Sequence, residues 1–280
     1  MRFDFFTLGG SQFWEDVFFY QKWRIQRNYK TKKYRLLDNW DIRRAEGTFN
    51  HCRNEFLRFI EIYQLSRQRG HMVIMLHGMG ESKNIFKPLW REVMKFGLMA
   101  AAVNYPSTCK RLDAHVRQLD FFMNHLEDVK EVSFVTHGAG GLILRKMLNM
   151  DSPWLHKLKI KRIVEVCPEN NGRKLYAKLA GYKFFRWLLG PMLNDLTPKS
   201  ARRIPPIPPR FEAGIIKCAS PLSEVHRILP SAWIKKLPID DDEPLKDGKY
   251  AVTVKNTYLN VFKNPEVLSN CTLFLTKGKF

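Results

Sequence analysis

The residues best placed to do chemistry lie in one segment, V-S-F-V-T-H-G-A-G-G-L-I-L at 132–144. An apolar run leads directly into a turn crowded with glycine, and an apolar run with helical spacing follows. This order predicts a strand, a sharp turn and a helix. Such an arrangement holds one position of the turn above the carboxyl edge of a parallel sheet. The segment therefore predicts a site at that edge.

A second glycine-containing turn, H-G-M-G at 77–80, follows the short apolar run H-M-V-I-M-L at 71–76. The run is typical of a buried strand. Backbone N–H groups in a turn after such a strand can donate hydrogen bonds to an oxygen that gains negative charge. The two turns together predict one site more strongly than either does alone.

The elements that position these turns alternate along the chain. Strand patterns are predicted at 98–103, 162–166, 213–219 and 250–254, and helical patterns at 41–68, 86–96, 112–126 and 265–275. This alternation predicts an α/β fold, a mostly parallel sheet with helices on both faces. The predicted organisation is an N-terminal extension with a helix over 1–69 and an α/β domain over 70–280. A cation-rich insertion interrupts that domain at about 172–210.

From about Trp23 onward the chain resembles an alphaproteobacterial type of lipase-like and esterase-like proteins in the α/β-hydrolase family. The similarity rests on W-R-I-Q-R at 23–27, Y-R-L-L-D at 34–38, H-G-M-G at 77–80, N-Y-P-S-T at 104–108, S-F-V-T-H-G-A-G-G at 133–141, G-P at 190–191 and N-P-E-V at 264–267. The resemblance implies the α/β-hydrolase fold, with the insertion as a lid. It also implies that the backbone N–H groups of Met79 and Ala139 form an oxyanion hole.

The family's catalytic positions are degenerate in this sequence. The resemblance places its serine on Gly138, its acid on Asp247 and its histidine on Tyr258 or, one register away, on Asn256. Glycine cannot attack a carbonyl carbon, and no histidine occurs after His226. A Ser-His-Asp mechanism needs both the nucleophile and the base. The resemblance and these departures together predict a pseudoenzyme and not an enzyme.

Other residues offer an alternative chemistry. Cys167 follows a predicted strand, and with His77 or His137 it could form a Cys-His pair. The other interpretation is that these three residues are packed in the core. Ser107 follows a different strand from the glycine-rich turn, and Ser133 lies inside a strand.

The net charge of +20 and the isoelectric point near 9.8 predict a polyanionic neighbour: RNA, DNA, an anionic membrane or an acidic protein. The alternative is a solvated basic surface.

The segment 22–35 is basic, contains aromatic residues and lacks acids. Its cations could neutralise phosphates while its aromatic residues stack on bases or lie at a lipid interface. Otherwise it is a hairpin with its aromatic residues in the core and its cations in water. The candidate anion-binding residues are Lys22, Arg24, Arg27, Lys30, Lys32, Lys33 and Arg35.

The cysteines are odd in number and scattered, without a C-x-x-C motif. They predict free thiols in a reducing compartment, with neither a disulfide framework nor a metal site. The five are Cys52, Cys109, Cys167, Cys218 and Cys271. No apolar run reaches the roughly 18–20 residues that cross a bilayer. The aromatic segment 1–21 is expected to dock on the protein's own body or on a partner.

These observations favour an inactive hydrolase-fold protein that serves as a structural or accessory subunit of a larger assembly. We expect an intracellular and mitochondrial location, in the matrix or at the inner membrane, with a respiratory complex or the ribosome as the assembly. The expected partners are protein subunits, with anionic lipid or RNA beside them. No cofactor, metal or small-molecule substrate is expected. The alternatives are an ester hydrolase that uses unconventional residues and a module that binds lipid or RNA in the old pocket.

Overall fold

The computed structural model describes residues 10–218, 249–254 and 258–280, with only the backbone described at 258 and 259. Within these ranges, no helix is both long enough and apolar enough to span a bilayer. The strands are β1 (Trp14–Tyr20), β2 (Trp23–Asn28), β3 (Tyr34–Leu37), β4 (Arg43–Gly47), β5 (His71–Leu76), β6 (Met99–Val103), β7 (Glu131–His137), β8 (Lys159–Val166), β9 (Ala213–Cys218) and β10 (Tyr250–Val254). The helices are α1 (Phe49–Ile62), α2 (Lys87–Lys95), α3 (Leu112–Asn124), α4 (Gly140–Leu148), α5 (Pro153–Lys157), α6 (Lys174–Ala180), α7 (Lys183–Leu189), α8 (Pro198–Ala201) and α9 (Pro265–Lys277). Short 3₁₀ segments lie at Lys83–Phe86, Pro191–Asn194 and Tyr258–Lys263.

A parallel sheet of six strands, in the order β10-β9-β8-β7-β5-β6, forms the centre of the molecule. Apolar side chains cover both of its faces. One core contains Phe134 and Leu142, and the other contains Phe86 and Phe274. The prediction of a mostly parallel sheet with helices on both faces is confirmed. Because the chain passes from β5 to β6 on one side and returns to β7 on the other, the topological switch point of the sheet lies where β5 and β7 end, and we call this edge of the sheet the crevice.

The N-terminal region forms a separate antiparallel sheet in the order β1-β2-β3-β4. Helix α1 packs against it through Phe56, whose ring contacts the rings of Phe18 and Trp23. The helix predicted over 41–68 is wrong at its start, because Arg43–Gly47 pairs with β3 as a strand. The Thr48 side chain then caps α1 by accepting a hydrogen bond from the His51 N–H at 3.1 Å.

Strand β1 is attached to the loop that follows β6. The Asp16 carboxylate accepts a hydrogen bond from the Asn104 N–H at 2.7 Å, and the Asn104 side chain donates to the Trp14 carbonyl at 2.7 Å. Phe19 belongs to the core beneath the parallel sheet. The described part of the aromatic segment 1–21 therefore docks on the protein's own body. Residues 1–9 lie outside the described residues.

The cysteines are not all free thiols. A disulfide joins Cys167 to Cys218, with their Cα atoms 5.2 Å apart, while Cys52, Cys109 and Cys271 are free. Strands β8 and β9 are neighbours, and their register pairs Val166 with Ile216. This pairing brings together two cysteines separated by 51 positions in the sequence. The expectation of five free thiols is therefore wrong for two of them.

Candidate functional site

The glycine-rich turn connects β7 to α4 at the crevice. Gly138 has a φ of 50°, in the left-handed region that glycine adopts readily. Its N–H donates to the Val166 carbonyl at 3.2 Å. A β-carbon on Gly140 would lie 2.4 Å from the Leu76 carbonyl oxygen, so α4 begins directly against the end of β5. Close packing of backbone on backbone thus requires glycine at 140.

The turn after β5 is held closed by hydrogen bonds from its own backbone. The Gly78 N–H donates to Glu81 Oε2 at 2.6 Å, and the Gly80 N–H donates to Ser107 Oγ at 3.0 Å. From the N-terminal segment, the Gln12 side-chain amide donates to the Glu81 carbonyl at 2.8 Å. The turn is therefore fixed by residues from three different parts of the chain.

A buried His-Glu pair joins the two turns. His137 Nδ1 donates to Glu81 Oε2 at 2.8 Å, and both side chains are buried. Burial raises the pKa of Glu81, but the facing His137 and the Gly78 N–H outweigh burial and leave that pKa below its ordinary value. Glu81 is thus an ionised carboxylate at neutral pH. Glu81 directly follows H-G-M-G in the sequence, but no local pattern predicted it as a site residue.

His77 is occupied within the fold. Its ring stacks on Tyr105 with centroids 3.9 Å apart, Nδ1 lies 2.9 Å from the Gly78 carbonyl, and Nε2 accepts from the Tyr105 N–H at 3.4 Å. Burial lowers the pKa of His77 to about 4, so the ring is neutral at pH 7. With both ring nitrogens facing backbone groups, His77 is a packed core residue here.

The predicted oxyanion-hole donors lie in the two turns. Among the described residues, neither the Met79 N–H nor the Ala139 N–H has a hydrogen-bond acceptor, whereas the N–H groups of Gly78, Gly80 and Gly138 do. Ala139 is fully buried. A buried N–H without an acceptor costs free energy, so this donor is suited to a ligand or water oxygen.

The alternative nucleophiles are not brought to this crevice as free groups. Cys167 is in the disulfide, and a disulfide sulfur is not the thiolate that attacks a carbonyl. The buried Ser107 hydroxyl accepts the Gly80 N–H. Ser133 Oγ lies 2.8 Å from His71 Nε2, but His71 begins β5, so this contact lies toward the amino ends of the strands. The Cys167-His pair considered from the sequence is not formed.

Of the other degenerate catalytic positions, 247, 256 and 258, the structure describes only the backbone at 258. Tyr258 begins the 3₁₀ segment Tyr258–Lys263. Asp247 and Asn256 lie outside the described residues. No group of three or more His, Cys, Asp or Glu side chains suited to a metal ion occurs within the described ranges.

The arginines of the candidate anion-binding set have partners inside the N-terminal sheet. Arg24 is buried with its Nη1 3.4 Å from Asp16 Oδ2, and Arg27 forms an ion pair with Glu15. The Arg35 guanidinium lies 3.9 Å from the centroid of the Trp14 ring. The antiparallel register places Glu15 directly opposite Arg27, whereas Asp16 lies opposite Gln26 and Trp14 lies two strands away from Arg35. These three charges are therefore held within the N-terminal sheet.

The lysines of that set lie at the surface. Lys22 is exposed, with its ammonium 5.6 Å from the centroid of the Trp90 ring. Lys30, Lys32 and Lys33 are exposed in the turn between β2 and β3, where Lys32 donates to the Tyr29 carbonyl. Anion binding by these lysines stays a prediction.

The strand order, the covered parallel sheet and the left-handed strand-to-helix turn at Gly138 together define an α/β-hydrolase fold. No protein-family model matches the chain, and no curated protein matches it. Among solved structures, the chain is similar to a lipase-esterase related protein from Clostridium acetobutylicum, with 13% identity over 75% of this chain and 94% of that one and a TM-score of 0.45.

For two further solved structures, the similarity extends over a smaller share of each chain. A metagenomic carboxyl esterase is 15% identical over 57% of this chain and 53% of that one, with a TM-score of 0.44. The phospholipase PlaB from Legionella pneumophila, solved in complex with thio-NAD, is 16% identical over 55% of this chain and 39% of that one, with a TM-score of 0.43. The chain thus spans about half the length of the first and 39% of the second.

These similarities contradict the prediction that the chain is not an enzyme, because the structures concerned are an esterase, a phospholipase and a lipase-esterase related protein. The prediction rested on side chains at two positions, 138 and 258. A missing hydroxyl at one position excludes an acyl-serine intermediate, but it does not exclude other chemistry at the same crevice.

Proposed function

We propose that this chain binds an acyl compound, a carboxylic ester or its carboxylate, at the crevice between the two turns. The observation that carries the proposal is the pair of donors in these turns. Among the described residues, the Met79 and Ala139 N–H groups have no acceptor, while their neighbours' N–H groups do. Paired backbone N–H groups at adjacent strand ends suit a carbonyl or carboxylate oxygen.

The rigidity of the turns supports this proposal. Glu81 accepts hydrogen bonds from the Gly78 N–H and from His137 Nδ1, so one carboxylate connects the loop after β5 to the end of β7. Donors that are already fixed lose little conformational freedom when a ligand binds. If a bound ester is hydrolysed, water is the expected nucleophile, since Gly138 has no side chain and Cys167 is in a disulfide.

The test removes one donor. Ala139 has a φ of −62°, close to the value that proline imposes, so Ala139→Pro deletes the N–H while this φ is kept. We expect affinity for a long-chain fatty acid, measured by calorimetry, to fall at least about tenfold, since a hydrogen bond to a charged group contributes about 1.5–3 kcal/mol. Ala139→Ser keeps the N–H and changes only the buried side chain, so it should bind more tightly than Ala139→Pro.

The same samples are assayed with p-nitrophenyl butyrate. Release of nitrophenol by the wild type, reduced in Ala139→Pro, would extend the proposal from binding to ester hydrolysis. Equal fatty-acid affinity in wild type and Ala139→Pro would contradict the proposal, provided that thermal melting shows both proteins folded.

A second candidate function is an accessory subunit of a larger assembly. It is favoured by large apolar side chains that remain exposed in the described part of the chain, including Trp40 at 77% and Ile62 at 63%. Affinity purification in gentle detergent, followed by nuclease treatment and sedimentation, tests it. Co-migration with a defined complex supports this candidate, and a lone 33.0 kDa species contradicts it.

A further inference from the structure

The cation-rich insertion carries an exposed aromatic surface. Helix α7 has no buried residue, and Tyr182, Phe184 and Trp187 are exposed by 50%, 61% and 46%. Phe184 contacts the rings of Phe185 and Trp187, with centroids 5.4 Å and 6.2 Å apart. These four side chains, 182, 184, 185 and 187, form what we call the aromatic patch. Phe185 is half-buried and the other three are exposed. A contiguous exposed group of aromatic side chains is typical of an interaction surface.

Cations surround the aromatic patch without any acid among them. The sequence from Asn170 to Asn194 contains five Lys and Arg residues and no Asp or Glu. Lys183 and Arg186 on α7 are exposed, as are Lys174 and Lys178 on the neighbouring α6. The surface is therefore apolar at its centre and positively charged around it.

The helices that carry the patch are anchored at both ends. At the start of α6, the buried Glu169 accepts hydrogen bonds from Arg173 Nε at 2.8 Å and from the Tyr176 hydroxyl at 2.7 Å. At the end of α7, Gly190 has a φ of 81°, and a β-carbon there would collide with the Thr108 backbone. Beyond it, Met192 is fully buried. The exposed helix is thus held on the body of the protein.

We propose that the aromatic patch and its surrounding cations dock the protein on the surface of an anionic phospholipid bilayer. Tyr and Trp side chains favour the boundary between lipid headgroups and acyl chains, and Lys and Arg are attracted to acidic headgroups. The absence of acids from 170–194 makes the charge complementary to such a surface. This proposal does not depend on ligand binding in the crevice.

The arrangement of the rings favours lipid over single-stranded nucleic acid. Bases stack on aromatic faces that are presented separately along a positively charged groove. Here the rings contact one another, with Phe184 nearly perpendicular to Phe185 at 72° and tilted by 35° to Trp187. The rings therefore form one apolar cluster, which suits insertion among lipid headgroups.

The experiment measures co-sedimentation of the full chain with vesicles. We expect binding to phosphatidylcholine vesicles that contain about 30% phosphatidylglycerol, weaker binding to phosphatidylcholine alone, and weakening as salt rises from about 0.15 M to about 1 M. The double variant Phe184→Ser/Trp187→Ser should bind at least tenfold more weakly, and Lys183→Glu/Arg186→Glu should lose the preference for anionic vesicles.

Matched variants control for general effects of hydrophobicity and charge. Trp40→Ser/Phe96→Ser removes two exposed aromatic side chains elsewhere, and Arg91→Glu/Lys95→Glu makes the same charge change at two exposed positions of α2. Both should bind vesicles like the wild type. A brominated lipid should also quench part of the tryptophan fluorescence of the wild type, and Trp187→Phe should lessen that quenching.

Several outcomes would overturn the proposal. One is unchanged vesicle binding by the two α7 variants. Another is loss of binding in Lys30→Glu/Lys33→Glu alone, which would place the contact on the candidate anion-binding lysines of the N-terminal turn. A third is binding of a single-stranded RNA with no binding to anionic vesicles. Circular dichroism and thermal melting check that each variant is folded, so that weaker vesicle binding is not attributed to unfolding.

Discussion

At the scale of the residue, Gly138 has the backbone conformation of a nucleophile elbow but lacks a nucleophilic side chain. Its φ of 50° is the conformation of a strand-to-helix elbow, yet it carries no side chain that needs presenting there. The turn keeps its shape because the Gly138 N–H donates to the Val166 carbonyl and the Gly141 N–H donates to the Gly138 carbonyl. Two backbone hydrogen bonds therefore help to maintain the geometry of the elbow.

Replacing Gly138 by alanine should lower the free energy of unfolding by about 1–2 kcal/mol, because a β-carbon is unfavourable in the left-handed region. Chemical denaturation of the two proteins measures the difference. Gly181→Ala is the control, since Gly181 has a φ of −66°, outside the left-handed region, although a β-carbon there would lie 3.2 Å from the Lys178 carbonyl oxygen. Equal effects of the two substitutions would show that the strain at position 138 is not the cause.

At the scale of the element, the N-terminal sheet supports the crevice. Gln12 reaches both loops: its side-chain amide donates to the Glu81 carbonyl, and its Oε1 accepts from the Thr108 N–H at 3.1 Å. Asp16 binds the Asn104 N–H in the same loop as Thr108. The segment that the sequence predicts to be an extension is thus in direct contact with the loops of the candidate site.

Gln12→Ala should lower the free energy of unfolding by about 1–3 kcal/mol, because the buried Glu81 carbonyl and Thr108 N–H lose their partners. Hydrogen exchange should also become faster at the amides of residues 78–81. The control is Gln21→Ala, since the Gln21 side chain makes only exposed hydrogen bonds, to Ser66. If exchange at 78–81 stays at the wild-type rate, Gln12 does not hold this turn.

At the scale of the whole molecule, two buried neutral histidines link stability to pH. Burial lowers the pKa of His77 to about 4 and that of His115 to about 3, and the positive charge of Lys110 adds to the effect at His115. In the unfolded chain both rings bind a proton near pH 6.5. The unfolded state therefore holds more protons below that pH, and acidification destabilises the fold.

The free energy of unfolding should fall as the pH is lowered from about 6.5 to about 4, and His115→Phe should reduce that slope by about 1.4 kcal/mol per pH unit. Urea denaturation at a series of pH values measures both slopes. His156→Gln is the control, because the His156 side chain is 78% exposed. A slope in His115→Phe identical to that of the wild type would mean that His115 is protonated in the folded protein.

Local sequence patterns were sufficient to predict several elements of this protein. The apolar run at 71–76 is the strand β5, the run at 250–254 is β10, and the glycine-rich segment 138–141 contains the turn after β7 and the start of α4. These features depend on side-chain periodicity and on the steric freedom of glycine. Both properties can be read from the sequence because they involve only residues that are close together along the chain.

Contacts between residues far apart in the sequence depend on the packing of the folded chain. Strand order places Glu81 against His137, which lies 56 positions away, and joins Cys167 to Cys218 across 51 positions. The antiparallel register likewise pairs Arg27 with Glu15 inside the sheet. Local patterns do not specify strand order or register, because these depend on how whole elements pack to bury apolar surface.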